Sequence, residues 1–296
     1  MGNILTKQFY RQRKDFEDSC AGRDAGLTFP EGVRCSTDIA YADDGIKAHM
    51  LDIYRPEDSQ EKILPVIINV HGGGLIIGNK EFNRYFCALL CKKGFLVYSI
   101  EYRLIPDCLI YDQIADVFMA MDYIKERLAA DGGDSSHVYM AGDSGGACLI
   151  TYANAIQNST NIARAANVTP SGLRINALGL ISGMFYTSRF DKIGLFLPKY
   201  LYGRDYKKTS FAKYVNPENR ELLNSLAPVW LVTSHNDFLR RYTTDFEKAL
   251  TRAEREHELV VFPKNKKLTH AFSVFEPFLP ESSEVIDMMV KYFRKF

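Results

Sequence analysis

The sequence predicts an α/β chain, with a mostly parallel central sheet flanked by helices and a small cap. Three observations carry this. Strand-like and helix-like segments alternate through the core of the chain. The central strands, such as Ile63 to Val70 (Ile-Leu-Pro-Val-Ile-Ile-Asn-Val), are nearly continuous aliphatic runs, as expected of strands buried on both faces. One such run, Val138 to Ala141, leads straight into Gly142-Asp143-Ser144-Gly145-Gly146, a glycine-flanked turn between a strand and a helix.

Residues 1–30 are polar and charged with scattered aromatics (Phe9, Tyr10, Phe16), which predicts one or two short helices packed on the outside. Asp38 to Ala42 and Ala48 to Tyr54 read as strands flanking the turn Asp43-Asp44-Gly45. Phe82 to Lys93 reads as a helix stopped by Gly94, and Phe95 to Ile100 as a buried strand. From Asp112 to Ala130, apolar residues recur at helical spacing: Ile114, Val117, Phe118, Met121, Ile124 and Leu128. Gly145 to Gln157 is a helix rich in small residues that allow close packing. Ile175 to Ile181, Pro228 to Ser234 and Glu258 to Phe262 supply three more strands; Thr243 to Arg255 and Glu284 to Phe296 supply helices. The whole chain, 1–296, reads as one domain with cap elements at approximately 1–35 and 185–224. The second of these is crowded with aromatics, from Phe185 and Tyr186 to Phe211 and Tyr214. A long insertion of weak sheet character is read as an active-site lid. The alternative is an extra helical layer with its own small core.

The composition, 46% hydrophobic and 25% charged over 296 residues, is that of a globular chain. A net charge of +1 leaves no electrostatic footprint for nucleic acid. Lys264-Asn265-Lys266-Lys267 is short enough to be a solvated loop. No apolar run reaches the roughly 18 residues that a membrane span needs, and the start lacks the apolar core of a secretory signal. Cys20, Cys35, Cys87, Cys91, Cys108 and Cys148 show no metal-ligand spacing and read as free thiols in a reducing, cytoplasmic setting. Met1 to Thr6 fits the loose N-myristoylation pattern at Gly2.

Ser144 carries the chemistry. A serine hydroxyl is a weak nucleophile unless a sharp turn presents it and a base deprotonates it; the flanking glycines let strand and helix approach closely there. The base needs an orienting acid, and the developing oxyanion needs donors. The expected chain order is serine, then Asp or Glu, then histidine. Only His235, His257 and His270 follow the serine at a useful distance. His270 lies in Leu268-Thr269-His270-Ala271-Phe272, between the last strand and the last helix, at the sheet edge where Ser144 emerges. His257 ends a charged helix, and His235, directly after Pro228 to Ser234, competes with His270 as the base. Asp237 follows that same strand and is the acid candidate; the competing role of a loop aspartate is a turn or helix cap. His71-Gly72-Gly73-Gly74 directly follows the Ile63 to Val70 strand. The amides of these consecutive glycines, with that of Gly145, can converge to hold a tetrahedral intermediate, and His71 is read as a brace for the loop.

With these residues on the page, the chain resembles the hormone-sensitive-lipase-like branch of the α/β-hydrolases. The resemblance rests on His71 to Gly74, Tyr102-Arg103-Leu104-Ile105-Pro106, Gly142 to Gly146, Asp237-Phe238-Leu239 and His270-Ala271-Phe272, in that order. Leu51-Asp52-Ile53-Tyr54-Arg55-Pro56 looks like a strand of small-ester hydrolases in the group, so the similarity covers roughly residues 38 to 296. The resemblance implies an α/β-hydrolase fold and a carboxylic-ester hydrolase with Ser144 as nucleophile, Asp237 as acid and His270 as base. It further implies Gly73, Gly74 and Gly145 as oxyanion donors and no metal or cofactor. The implied partner is a small, short-acyl ester substrate, with a homodimer left open. Three positions depart from the pattern: Gly145 stands where alanine is usual, Phe238 where proline is, and Leu75 where an aromatic is common. No interfacial apolar lid is evident. An amidase or peptidase with the same triad, and a non-catalytic small-ligand-binding homologue, remain the alternatives.

Overall fold

The computed structural model describes residues 4–59 and 62–296; Gly2 lies outside them. The first element is one long helix, α1 (Ile4–Asp24), where the sequence suggested one or two short ones. Two antiparallel strands follow, β1 (Val33–Ala40) and β2 (Met50–Pro56). The expected strand at Asp38 to Ala42 is therefore displaced: β1 starts five residues earlier and ends at Ala40, with a register shift between Ser36 and Ile39. β1 is an edge strand with mostly exposed side chains, so no apolar alternation marked its true start.

The remainder alternates strand and helix. β3 (Leu64–Val70), α2 (Arg84–Lys92), β4 (Leu96–Ile100), α3 (Ile110–Arg127), β5 (Gly133–Asp143), α4 (Gly145–Asn158), α5 (Thr160–Ala166) and β6 (Ala177–Ile181) come first. A cap segment with short helices α6 (Lys192–Phe196), α7 (Pro198–Leu201) and α8 (Arg220–Asn224) precedes β7 (Val229–Ser234). The chain closes with α9 (Arg240–Arg252), β8 (His257–Phe262), α10 (Phe272–Phe275) and α11 (Pro280–Phe293). The strands form one sheet in the order β1-β2-β4-β3-β5-β6-β7-β8. β2 runs antiparallel to β4, and every pairing from β4 to β8 is parallel.

Both faces of the sheet are covered. Apolar residues of α3, α4, α5 and α9 pack on one face together with the aromatic part of the cap. Residues of α2, α10 and α11 pack on the other, with Cys20 of α1 beside them. β3, β4, β6 and β7 are buried almost throughout, which is why they read as unbroken apolar runs. The register fixes what comes next. Val70 lies opposite Gly142, Asp143 opposite Ile181, and Ser234 opposite Phe262. The loops after β3, β5, β7 and β8 therefore open at the same carboxyl edge, where ligands of open α/β sheets bind.

Candidate active site

Ser144 sits between β5 and α4 with φ 50° and ψ −112°, a backbone conformation costly for a residue with a Cβ. Its amide donates to the Ile181 carbonyl at 2.8 Å, so the neighbouring strand holds the turn. Ser144 Oγ lies 2.9 Å from His270 Nε2, and His270 Nδ1 lies 2.7 Å from Asp237 Oδ1. The imidazole thus donates from Nδ1 to the carboxylate and accepts the serine hydroxyl at Nε2. Asp237 is further fixed by the Thr233 hydroxyl, at 2.7 Å to Oδ2, and the Leu239 amide, at 2.8 Å to Oδ1. Burial pushes its pKa up, but the His270 bond and charge, the hydroxyl and the amide outweigh it and hold the carboxyl below its ordinary value. The Phe238 ring rests against the His270 ring, 4.4 Å between centroids.

The competing histidines are turned elsewhere. His235 is exposed and accepts a hydrogen bond at Nδ1 from Arg240, 2.8 Å away. His257 donates to the Arg255 carbonyl at 2.7 Å.

The glycine loop after β3 is the other half of the site. Gly73 has φ +103°, and a Cβ there would lie 2.0 Å from the Ile77 carbonyl oxygen, so only glycine fits. Among the described residues, the amides of Gly73, Gly74 and Gly145 have no hydrogen-bond acceptor and are free to serve a ligand. A Cβ on Gly145 would lie 2.8 Å from the Leu75 nitrogen and 3.0 Å from that of Gly74. The missing methyl group is therefore filled by the glycine loop, which closes directly onto the start of α4.

His71, and several residues to which the sequence assigned no role, hold this loop. Asp143 Oδ1 accepts the Gly72 amide at 3.0 Å and Asn83 Nδ2 at 2.9 Å. Burial raises the Asp143 pKa despite these bonds and the nearby His71 and His270. His71 donates from Nε2 to Glu101 Oε1 at 2.8 Å and from Nδ1 to the Gly72 carbonyl at 2.9 Å, and it stacks on Tyr102 at 4.3 Å. Burial alone would lower the His71 pKa; Glu101, the Gly72 carbonyl and Asp143 together raise it. His71 is thus a brace. The only sequence signals for Asp143 and Glu101 were their places beside Ser144 and Tyr102.

The Ser144 hydroxyl opens into a cleft of about 550 Å³. Its walls include Phe9 and Phe16 of α1, Phe82, Phe275, and Ile193 and Phe196 of α6. α1 is hooked in place by Arg13, whose guanidinium donates to the carbonyls of Ile76, Leu104 and Ile105 and to Asp107. The aromatic insertion divides in two. Its α6 end faces the cleft, whereas Tyr202, Phe211 and Tyr214 are buried, with Phe211 packed edge-on against Tyr111 at 5.2 Å and tilted against Tyr152 at 5.5 Å. A second hollow of about 600 Å³, lined by Arg34, Arg55, Arg127 and neighbours, lies at the β1–β2 side, away from these groups. Among the described residues, no three His, Cys, Asp or Glu side chains are grouped to hold a metal. No helix there is long and apolar enough to cross a membrane.

An eight-stranded, mostly parallel sheet with a serine turn after β5 and a glycine loop after β3 defines an α/β-hydrolase fold. The chain belongs to the alpha/beta hydrolase fold family, whose model matches residues 67–273, or 207 of 296 residues. The hormone-sensitive-lipase-like branch recognised from the motifs is the one this model describes. Isoprenylcysteine alpha-carbonyl methylesterase of Arabidopsis thaliana is 28% identical over 155 residues, 52% of this chain and 35% of that protein. Esterase LipQ of Mycobacterium tuberculosis is 32% identical over 120 residues, 40% of this chain and 28% of that protein. The aligned part spans well under half the length of these curated relatives. Among solved structures, esterase B from Lactobacillus rhamnosis superposes with a TM-score of 0.91 at 23% identity, over 98% of this chain and 94% of that one. A bacterial heroin esterase gives 0.73 at 22% identity, over 98% and 92%. At these identities the likeness is one of fold.

Proposed function

We propose that this chain is a carboxylic-ester hydrolase in which Ser144 is the nucleophile, His270 the base and Asp237 the orienting acid. The observation that supports it is the unbroken line Ser144 Oγ–His270 Nε2 and His270 Nδ1–Asp237, at 2.9 and 2.7 Å. Ser144 Oγ attacks the ester carbonyl as its proton passes to His270 Nε2. The resulting oxyanion is held by the amides of Gly73, Gly74 and Gly145, and losing one such donor costs about 10²- to 10³-fold in rate. The alcohol leaves with the proton from His270, and an acyl-enzyme remains on Ser144. Water then attacks that acyl group, His270 taking its proton, and the acid departs with the serine restored. Asp237 stays ionised throughout and stabilises the imidazolium.

The relatives named as methylesterase and esterase favour an ester over an amide. The size and aromatic walls of the cleft favour a small, short-acyl ester with apolar groups. The test is turnover of p-nitrophenyl esters of increasing acyl length, beside a matched anilide. Short esters should be preferred, the anilide should be poor, and Ser144→Ala should remove turnover while the fold persists. Undiminished turnover in Ser144→Ala sinks the reading. If His235→Ala rather than His270→Ala removes activity, the base is misassigned.

A further inference from the structure

The sequence suggested no interfacial apolar lid, yet the cap carries one in space. Phe190 is 91% exposed, Leu195 55% and Phe196 57% on one short segment at and before α6, and Phe238 across the cleft is 73% exposed. Phe196 and Phe238 both line the cleft, so this apolar rim surrounds the mouth of the site. Large apolar side chains grouped in this way on a surface mark an interaction site.

Charge says what the rim meets. Residues 185–214 hold seven lysines and arginines against Asp191 and Asp205; Arg189 and Lys213 pair with Asp245 and Glu221 outside that range, which leaves a surplus of three. Residues 4–14 of α1 hold four basic residues and no acid; Arg11 and Arg13 pair with Asp15 and Asp107, and Lys7 and Lys14 have no such partner among the described residues. This basic half of α1 adjoins the cap, because Phe9 packs edge-on against Tyr200 at 5.1 Å. The whole chain has a net charge of only +1, so by formal charge everything outside these two segments carries a deficit of eight. The second half of α1 is itself acidic, which confines the basic face to the cap side. Among the described residues, no carboxylate pairs with Lys7, Lys14, Lys192, Lys199 or Arg204.

We propose that the cap face docks on the surface of an anionic lipid bilayer, with Phe190 and Leu195 entering the headgroup region and the unpaired cations facing the lipid phosphates. Exposed apolar side chains beside unpaired cations suit a protein to such a surface, the first by burial among the headgroups and the second by attraction to anionic lipid. A bilayer fits better than a second copy of the chain, since two copies meeting through this face would oppose like charges. The docked face holds the cleft mouth against the bilayer.

The test is co-sedimentation of the full chain with phosphatidylcholine vesicles, with and without phosphatidylglycerol. Binding is expected only to the anionic vesicles and should fade as salt rises. Phe190→Asp with Leu195→Asp should weaken it about tenfold or more, as should Lys199→Glu with Lys207→Glu. Both double variants should melt like the parent and turn over p-nitrophenyl acetate unchanged, since none of these side chains lines the cleft. Equal binding to both vesicle types, no binding to either, or full binding by the Phe190/Leu195 variant overturns the proposal. A dimer that forms through Phe190 and Leu195 without vesicle binding also overturns it. Sedimentation needs no turnover, so Ser144→Ala should bind vesicles like the parent, and a failed esterase assay leaves this result standing.

Discussion

At the floor of the cleft, hydrogen bonds of 2.7–3.0 Å, most of them to a charged partner, hold two sets of groups: Ser144, His270 and Asp237, and, behind them, Asp143, His71 and Glu101 around Gly72. In the cap, much of the order comes from rings: Phe211 lies among Tyr111, Tyr152, Tyr202 and Tyr214, and the polar ties there are mostly tyrosine hydroxyls, such as Tyr202 to Thr187 at 2.7 Å. Directional, charge-assisted bonds set atoms to within tenths of an ångström, as proton transfer requires. Ring packing gives bulk stability and tolerates changes of shape. Rate should therefore depend on the floor, and stability and ester preference on the cap.

The largest break of this contrast comes at Asp237. Asp237→Asn should lower kcat about 10⁴-fold by favouring the wrong histidine tautomer; steady-state kinetics on a soluble ester would show it, and a loss under tenfold would mean that His270 does not need the carboxylate. Next in size, Phe211→Ala should cost about 3–5 kcal/mol in chemical denaturation, with kcat on a soluble ester staying within about tenfold. Equal damage to both would erase the distinction between cap and floor. Gly145→Ala should cut kcat by about 10- to 100-fold, less than a lost donor, because the new methyl group pushes the Gly74 and Leu75 amides away rather than removing them. An unchanged kcat would show that the loop gives way freely.

The smallest effect is one of pH. The His71 pKa is raised above 6.5 in the folded protein. The stabilisation from its protonated form is therefore complete below pH about 6.5 and fades as pH rises through the raised value. Tm should fall as pH rises above about 6.5 through that raised value, and Glu101→Gln should start lower and fall less. Superimposable curves for the parent and the variant would show that the Glu101 pair adds nothing to the loop.

Much of this architecture was visible in the chain because buried strands and an ordered set of loop motifs leave sharp local marks. Ser144, Asp237 and His270 each follow a strand, and parallel pairing brings those strand ends to one edge. The first half of β5 was missed because Gly133 to His137 is polar and largely exposed, so nothing apolar announced it. Asn83 and Glu101 were missed for another reason. Their partners lie on different elements, and only the folded register shows that Glu101 after β4 meets His71 after β3. The outward turn of Phe190 and Leu195 escaped notice because Phe190 precedes α6 and a helix as short as α6 has no periodicity from which to read a face.

Arg13 binds the carbonyls of Ile76, Leu104 and Ile105 at once, and Ile105 in turn donates its amide to Leu75 beside the glycine loop after β3. A fusion partner or affinity tag placed ahead of Ile4 is thereby attached to a helix that forms one wall of the reaction vessel. Carried on the last residues instead, beyond α11, the same tag would stand clear of that wall.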